Sequence, residues 1–167
     1  VPRPLYLTSA NGEVLARCST EPGTDRLFRA ADLINADGQP LVTLSRFKSP
    51  TPLPERVATT DLFDVVARKA QAAGLTFYMF GADEAENAAA VARVRGRYPD
   101  LKIVGHSHGY FRGEALRAKV DEINALAPNY LWVSLGVPYE QAFVEEFSPH
   151  LLNVGVIKTS GGLFNFL

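Results

Sequence analysis

Asp37 closes the short apolar run Leu33-Ile34-Asn35-Ala36 and is followed by Gly38-Gln39-Pro40, not by a second strand. An Asp-Gly pair between two strands marks a hairpin turn. Here the next apolar run opens behind a proline, so the carboxylate projects from a strand end into a loop. In an open α/β sheet ligands bind outside the carboxyl ends of the strands, and an acid at that edge is placed for chemistry. An ordinary Asp-Gly turn is the competing reading of the same residues. A second kind of chemistry is signalled by glycine-bearing loops after apolar runs: Gly81–Asp83, Gly136–Gln141, Gly105–Gly113 and Lys158–Gly162, together with Ser9–Asn11. Glycines let backbone amides approach a ligand, and the helix N-termini that follow favour an anion, the pattern of a nucleotide or sugar-nucleotide site. Neither G-x-x-x-x-G-K-[ST] nor a strand-linked G-x-G-x-x-G is present, so P-loop hydrolysis and ordinary dinucleotide binding lack their fingerprints. His106-Ser107-His108 puts two imidazoles on one face of an extended segment, a metal pattern with no nearby acid or cysteine to complete it; loop histidines bonding a substrate or water are the other reading.

The elements that must position these residues follow from periodicity. Leu5–Thr8 reads as a strand, and Asn11 can cap a helix running to about Ser19. A helix over Asp25–Ala31 precedes the Leu33–Ala36 strand, and Leu41–Phe47 is a further short helix. Pro50, Pro52 and Pro54 make Lys48–Glu55 a stiff connection that cannot be helix interior. Beyond Arg56 the alternation is regular. Thr60 caps a helix with Asp61 in its first turn and Gly74 at its end; Leu75–Phe80 is a strand covered on both faces. An alanine-rich helix runs to Tyr98-Pro99, Leu101–Val104 is a strand, and Glu114–Ala127 is a helix. Tyr130–Leu135 is a strand, the next helix runs to about Phe147, and Asn153–Ile157 is the last strand. Strand and helix in strict alternation predict an α/β, Rossmann-like open and mostly parallel sheet with helices on both faces.

The chain of 167 residues, 47% hydrophobic, suits one domain over residues 1–167. A net charge of −1 gives no basis for nucleic-acid binding, and the single cysteine, Cys18, excludes an internal disulfide. No apolar run is long enough to span a bilayer. The ends are abrupt, which predicts an N-terminal segment and a C-terminal tail beyond this stretch.

Several short motifs then carry a resemblance. Ala31-Asp32-Leu33 with Asp37-Gly38, Pro54-Glu55-Arg56-Val57 with Asp61-Leu62, Tyr98-Pro99, Ile103-Val104-Gly105 with Gly109-Tyr110-Phe111, Leu135-Gly136-Val137-Pro138, and Gly161-Gly162 with Phe164 occur in this order. The combination resembles the WecG/TagA/CpsF family of bacterial glycosyltransferases (glycosyltransferase family 26). The resemblance implies an inverting enzyme that moves a sugar from a UDP-sugar donor to a polyprenyl-diphosphate-linked saccharide in cell-surface polysaccharide synthesis, without a metal cofactor. It makes Asp37 the general base. Asn11, Arg56, Gly81, Gly136, Pro138, Glu140, Gln141, Gly161 and Gly162 become the substrate-binding set. Asn11 can also serve only as a helix cap, and Arg56 can also be a surface partner of Glu55. Partners implied are the donor, the lipid-linked acceptor, a membrane surface reached through the C-terminal tail on the cytoplasmic side, and a homo-oligomer.

Departures from the family pattern are local. Glu140-Gln141 stands in place of Gln-Glu, Thr59 where glycine is usual, Ser9 where threonine is expected, and Asn165 where aspartate is common. They point towards an exopolysaccharide-type member and a glucosyl or related donor. Two other function classes share the same residues: a non-catalytic nucleotide- or sugar-binding module in which Asp37 only makes a turn, and a metal-dependent hydrolase using His106 and His108.

Overall fold

The computed structural model describes residues 3–167. Among them six strands form one all-parallel sheet: β1 (Leu5–Ala10), β2 (Leu33–Ala36), β3 (Thr76–Gly81), β4 (Lys102–Ser107), β5 (Tyr130–Ser134) and β6 (Val156–Thr159). Their order across the sheet is β2-β1-β6-β5-β3-β4. The helices are α1 (Gly12–Thr20), α2 (Pro22–Arg29), α3 (Gln39–Lys48), α4 (Thr59–Ala73), α5 (Glu84–Arg97), α6 (Gly113–Leu126) and α7 (Tyr139–Phe147). The expected α/β, Rossmann-like arrangement is present.

Alternate residues of the central strands feed two cores, as a parallel sheet covered on both faces requires. Phe77, Met79 and Trp132 pack with Phe63 and Ala67 of α4 and Val91 and Val94 of α5. Tyr78, Phe80, Leu131 and Val133 pack on the opposite face with Ile123 of α6 and Phe143 and Val144 of α7. Gly74 ends α4 in the left-handed region at φ 68°, a conformation that favours glycine.

Several boundaries differ from those read in the sequence, four of them with structural consequences. Helix α2 begins at Pro22, where a proline fits because the first helical N–H has no partner to lose. Thr60 does not cap α4: the helix starts at Thr59 after Ala58, because the Thr59 amide and hydroxyl are both bonded to Asp37. Strand β4 runs on to Ser107, so His106 is a strand residue and not part of a loop. Strand β6 begins later and ends at Thr159, so Lys158 belongs to the sheet.

The strand order places two switch points at the carboxyl edge. The chain leaves β1 towards β2 on one side, and leaves β6 towards a short 3₁₀ turn (Leu163–Phe166) packed on α4 and α5. The chain also leaves β3 towards β4 and β5 towards β6, again in opposite directions. Crevices for ligands form where neighbouring connections diverge in this way.

Gly81 sits at the second of these points with φ 132°, and a Cβ there would lie 2.2 Å from the Ser134 carbonyl oxygen of the adjacent strand. Gly81→Ala should destabilise the fold by about 3 kcal/mol or more, since both the backbone conformation and the close approach exclude a methyl group. Equilibrium urea unfolding measures it; a loss below about 1 kcal/mol would contradict the packing described.

Candidate active site

Two cavities open along the carboxyl edge, one over each switch point. The first, about 470 Å³, is lined by Ser9, Asn11, Asp37, Arg56, Thr59 and the Gly161–Gly162 turn. The second, about 590 Å³, is more apolar and is bounded by Tyr110, Phe111, Arg112, Gly136, Tyr139 and the same Gly161–Gly162 turn. The two chambers therefore adjoin at one wall.

Asp37 projects into the first chamber from the turn after β2. Its Oδ2 accepts the Thr59 amide at 3.2 Å and the Thr59 hydroxyl at 2.8 Å, so the carboxylate sits on the N-terminus of α4, where helix charge favours an anion. Arg56 reaches the same chamber from the proline-rich connection. Its guanidinium pairs with Asp61 at 3.6 Å, not with Glu55, and remains half exposed. Asn11 accepts the Val14 amide at 3.0 Å, capping α1, while lining the chamber. Capping and cavity lining coexist in that residue.

Glu140 occupies an inner position. It is 2% exposed, and its carboxylate accepts the Gly161 amide at 3.0 Å, the Leu135 amide at 3.3 Å and the Gln141 side-chain amide at 3.2 Å. Burial raises its pKa, and the Gly161 and Leu135 amides oppose the shift, with smaller help from Lys158 and Gln141. Its role in this geometry is to tie the loop after β5 to the turn after β6. Gln141 is buried, lines neither chamber and donates to Thr8 Oγ1 at 3.3 Å.

The remaining residues of the expected binding set divide. Gly136 and Gly161 adopt positive φ at the edge, and Gly136, Gly161 and Gly162 line chamber walls. Gly81 packs against the Ser134 backbone and lines neither chamber; its glycine is required by the sheet. Pro138 precedes α7 after a cis peptide bond with Val137 and also lines neither, although Val137 does. His106 Nδ1 is 2.8 Å from Asn87 Oδ1, whereas His108 accepts the Tyr110 amide and stacks on Phe111 at 4.3 Å. The two imidazoles are thus committed to different neighbours. Among the described residues no three His, Cys, Asp or Glu side chains come together as a metal cluster.

Lys158 was not singled out by sequence, yet it lies beneath this edge at 2% exposure. Its ammonium donates to Ser9 Oγ at 2.7 Å and to the Thr159 carbonyl at 2.8 Å. Burial pulls its pKa down to about 8, against the opposing charges of Glu140 and Asp37. The available signal was a lysine directly following the apolar pair Val156-Ile157, a residue type seldom buried without a partner.

The consequence for stability has a definite sign. With a folded value near 8 and an ordinary value of 10.5, the unfolded chain binds more protons at Lys158 between these limits. The contribution of this group to stability therefore rises by about 3 kcal/mol as pH climbs from about 7 to about 10.5. Tyr6 and Tyr78, both pushed up to about 12 by burial, act in the opposite sense, but only above their ordinary value of 10. Urea unfolding between pH 7 and 10 should show the rise in the wild type and a flatter profile in Lys158→Met; identical profiles would refute the assignment.

With this geometry in view, comparison with known proteins identifies the lineage. Residues 2–167 match the model of the Glycosyl transferase WecG/TagA/CpsF family. An N-acetylglucosaminyldiphosphoundecaprenol N-acetyl-beta-D-mannosaminyltransferase of Bacillus spizizenii is 29% identical over 160 residues, covering 96% of this chain and 61% of the relative. The protein of the same name from Bacillus subtilis is 26% identical over 159 residues, covering 95% of this chain and 60% of the relative. The chain thus spans about three-fifths of the length of these curated relatives. By the match along nearly its whole length, the chain belongs to the WecG/TagA/CpsF glycosyltransferase family.

Proposed function

We propose that this domain carries out an inverting sugar transfer from a UDP-sugar to a hydroxyl of a polyprenyl-diphosphate-linked saccharide, with Asp37 as the general base. The observation that carries the reading is that Asp37, Arg56, Asn11 and the Gly161–Gly162 turn line one chamber at the carboxyl edge. An inverting displacement needs one base. Asp37 takes the acceptor hydroxyl proton, the oxygen attacks the anomeric carbon, and the bond to UDP breaks as the diphosphate leaves. Negative charge developing on the diphosphate falls to Arg56, whose planar fork suits phosphate, and to the Gly162 main-chain amide, since the Gly161 amide is already given to Glu140.

The adjoining chamber supports a place for the nucleoside. Tyr110 and Tyr139 stand on its rim at 67% and 73% exposure, large aromatic faces suited to stacking on a base. The diphosphate then lies at the shared glycine wall, with the sugar towards Asp37. The names of the two relatives direct the transferred sugar to N-acetylmannosamine and the acceptor to N-acetylglucosaminyldiphosphoundecaprenol; the glucosyl donor drawn from the motif departures is the competitor. Turnover without a protein-held metal belongs to the same proposal, and unchanged transfer in excess chelator is its test. So does work at the cytoplasmic face of the membrane, where a lipid-linked acceptor would bring a domain in which no described helix is long and apolar enough to cross the bilayer.

UDP at about a hundred times its dissociation constant should raise the melting temperature by roughly 5–10 °C, and Tyr139→Ala should weaken UDP binding about tenfold. No shift with UDP or either UDP-sugar would count against the nucleotide site. Asp37→Asn keeps an acceptor for Thr59, so it should fold normally while transfer to a synthetic lipid acceptor falls about a hundredfold or more. Retained transfer would remove Asp37 as the base; tight ligand binding unaffected by Asp37→Asn, with no transfer by the wild type, would favour a non-catalytic binding module.

A further inference from the structure

Lys158 is a buried charge that the transfer reaction as written above does not use, and its hydrogen bonds lead to the base. The Thr59 hydroxyl lies 2.8 Å from Asp37 Oδ2 and 3.2 Å from Ser9 Oγ, and Ser9 Oγ lies 2.7 Å from Lys158 Nζ. Proton counting fixes the direction of each link. A carboxylate only accepts, so the single hydroxyl proton of Thr59 goes to Asp37. Thr59 Oγ1 must then accept from Ser9, whose one proton is used in doing so. Ser9 Oγ in turn accepts from the ammonium, which only donates. We propose that Lys158 is a positioning residue of the transfer site: through Ser9 and Thr59 it points every proton of this chain at Asp37 Oδ2 and so holds Oδ1 towards the acceptor hydroxyl.

The proposal rests on the reading of Asp37 as the base. Among the described residues Oδ1 takes no protein hydrogen bond, which leaves it free for substrate. During transfer Oδ1 gains the acceptor proton, the glycosidic bond to UDP breaks, and no proton crosses the relay; Lys158 stays charged throughout. A neutral lysine would behave differently. Its nitrogen gains a lone pair, Ser9 can turn its proton towards it, and Thr59 can turn away from Asp37.

Two charged groups bear on the charge of Lys158. Glu140 from α7 and Asp37 from the turn after β2 favour the ammonium, while burial opposes it and brings its pKa to about 8. Tyr6 of β1 keeps its proton to about 12, and Arg56, half exposed, lines the same chamber. Loss of the Lys158 proton therefore falls where it would shape an alkaline limb of turnover.

The test measures kcat and KM against pH for Lys158→Met, Ser9→Ala and Thr59→Val, beside the hydroxyl-keeping Ser9→Thr and Thr59→Ser and the base variant Asp37→Asn. Thermal melts of every protein verify folding; should Lys158→Met fail to fold, Ser9→Ala and Thr59→Val decide the matter. The expected result is a fall in kcat of about 10- to 100-fold in the three cutting variants, with donor KM within about threefold. The hydroxyl-keeping variants should stay within about threefold of wild type, and the limb near pH 8 should vanish whenever the relay is cut. If Asp37→Asn abolishes transfer while Ser9→Ala and Thr59→Val keep wild-type kcat and the alkaline limb, the relay is refuted and the base stands. If Asp37→Asn turns over normally, the base assignment fails first and the relay with it.

Discussion

Lys158 and Glu140 lie under the carboxyl edge of the sheet with almost no access to water, and the layout above them follows from how each is satisfied. A charge in such a place is tolerated only when its hydrogen-bonding capacity is used. Glu140 takes main-chain amides from the loop after β5 and the turn after β6; Lys158 gives protons to Ser9 of β1 and to the end of β6. Three strands are thereby fastened at the level where their loops begin. The loops around the chamber containing Asp37 therefore rise from strands tied to one another at their base.

Local rules describe much of the scaffold. Helix α1 begins where Asn11 can cap it, α4 stops at Gly74, and the continuous apolar run at Thr76–Gly81 is a strand buried on both sides. Each of these is decided within a few residues of sequence. What local rules miss are choices made across the fold. Thr59 looks like an N-terminal neighbour of a capping Thr60, but its hydroxyl answers a carboxylate 22 residues away, which moves the helix start. Lys158 looks like the first residue of a loop until its partner Ser9, 149 residues distant, draws it into the sheet.

The site was legible to a similar degree. Asp37, Asn11 and the double glycine line one chamber, as the strand-end argument expects, and Arg56, to which only the resemblance points, lines it with them. The family resemblance groups Gly81, Pro138 and Gln141 with them, because a motif matches residues by order along the chain and not by the surface they face. In three dimensions Gly81 makes room for a neighbouring strand, and Gln141 is enclosed beneath the chambers. Of the rim tyrosines, Tyr110 is visible in the sequence only inside the Gly109-Tyr110-Phe111 motif and Tyr139 only inside the Gly136–Gln141 loop, since a lone exposed aromatic has no periodicity to reveal it.

The partition between the two chambers has an unusual composition: it is chiefly main chain, contributed by Gly161 and Gly162, and pinned from behind by the Glu140 carboxylate and the Ser134 hydroxyl. Amide and carbonyl groups keep their polarity whatever side chains surround them, so point substitution leaves the chemistry of this shared surface nearly fixed. Side-chain differences can then act only at the remaining walls, where Arg56 lines one chamber and the two tyrosines line the other. Either compartment can then drift in preference without disturbing its neighbour.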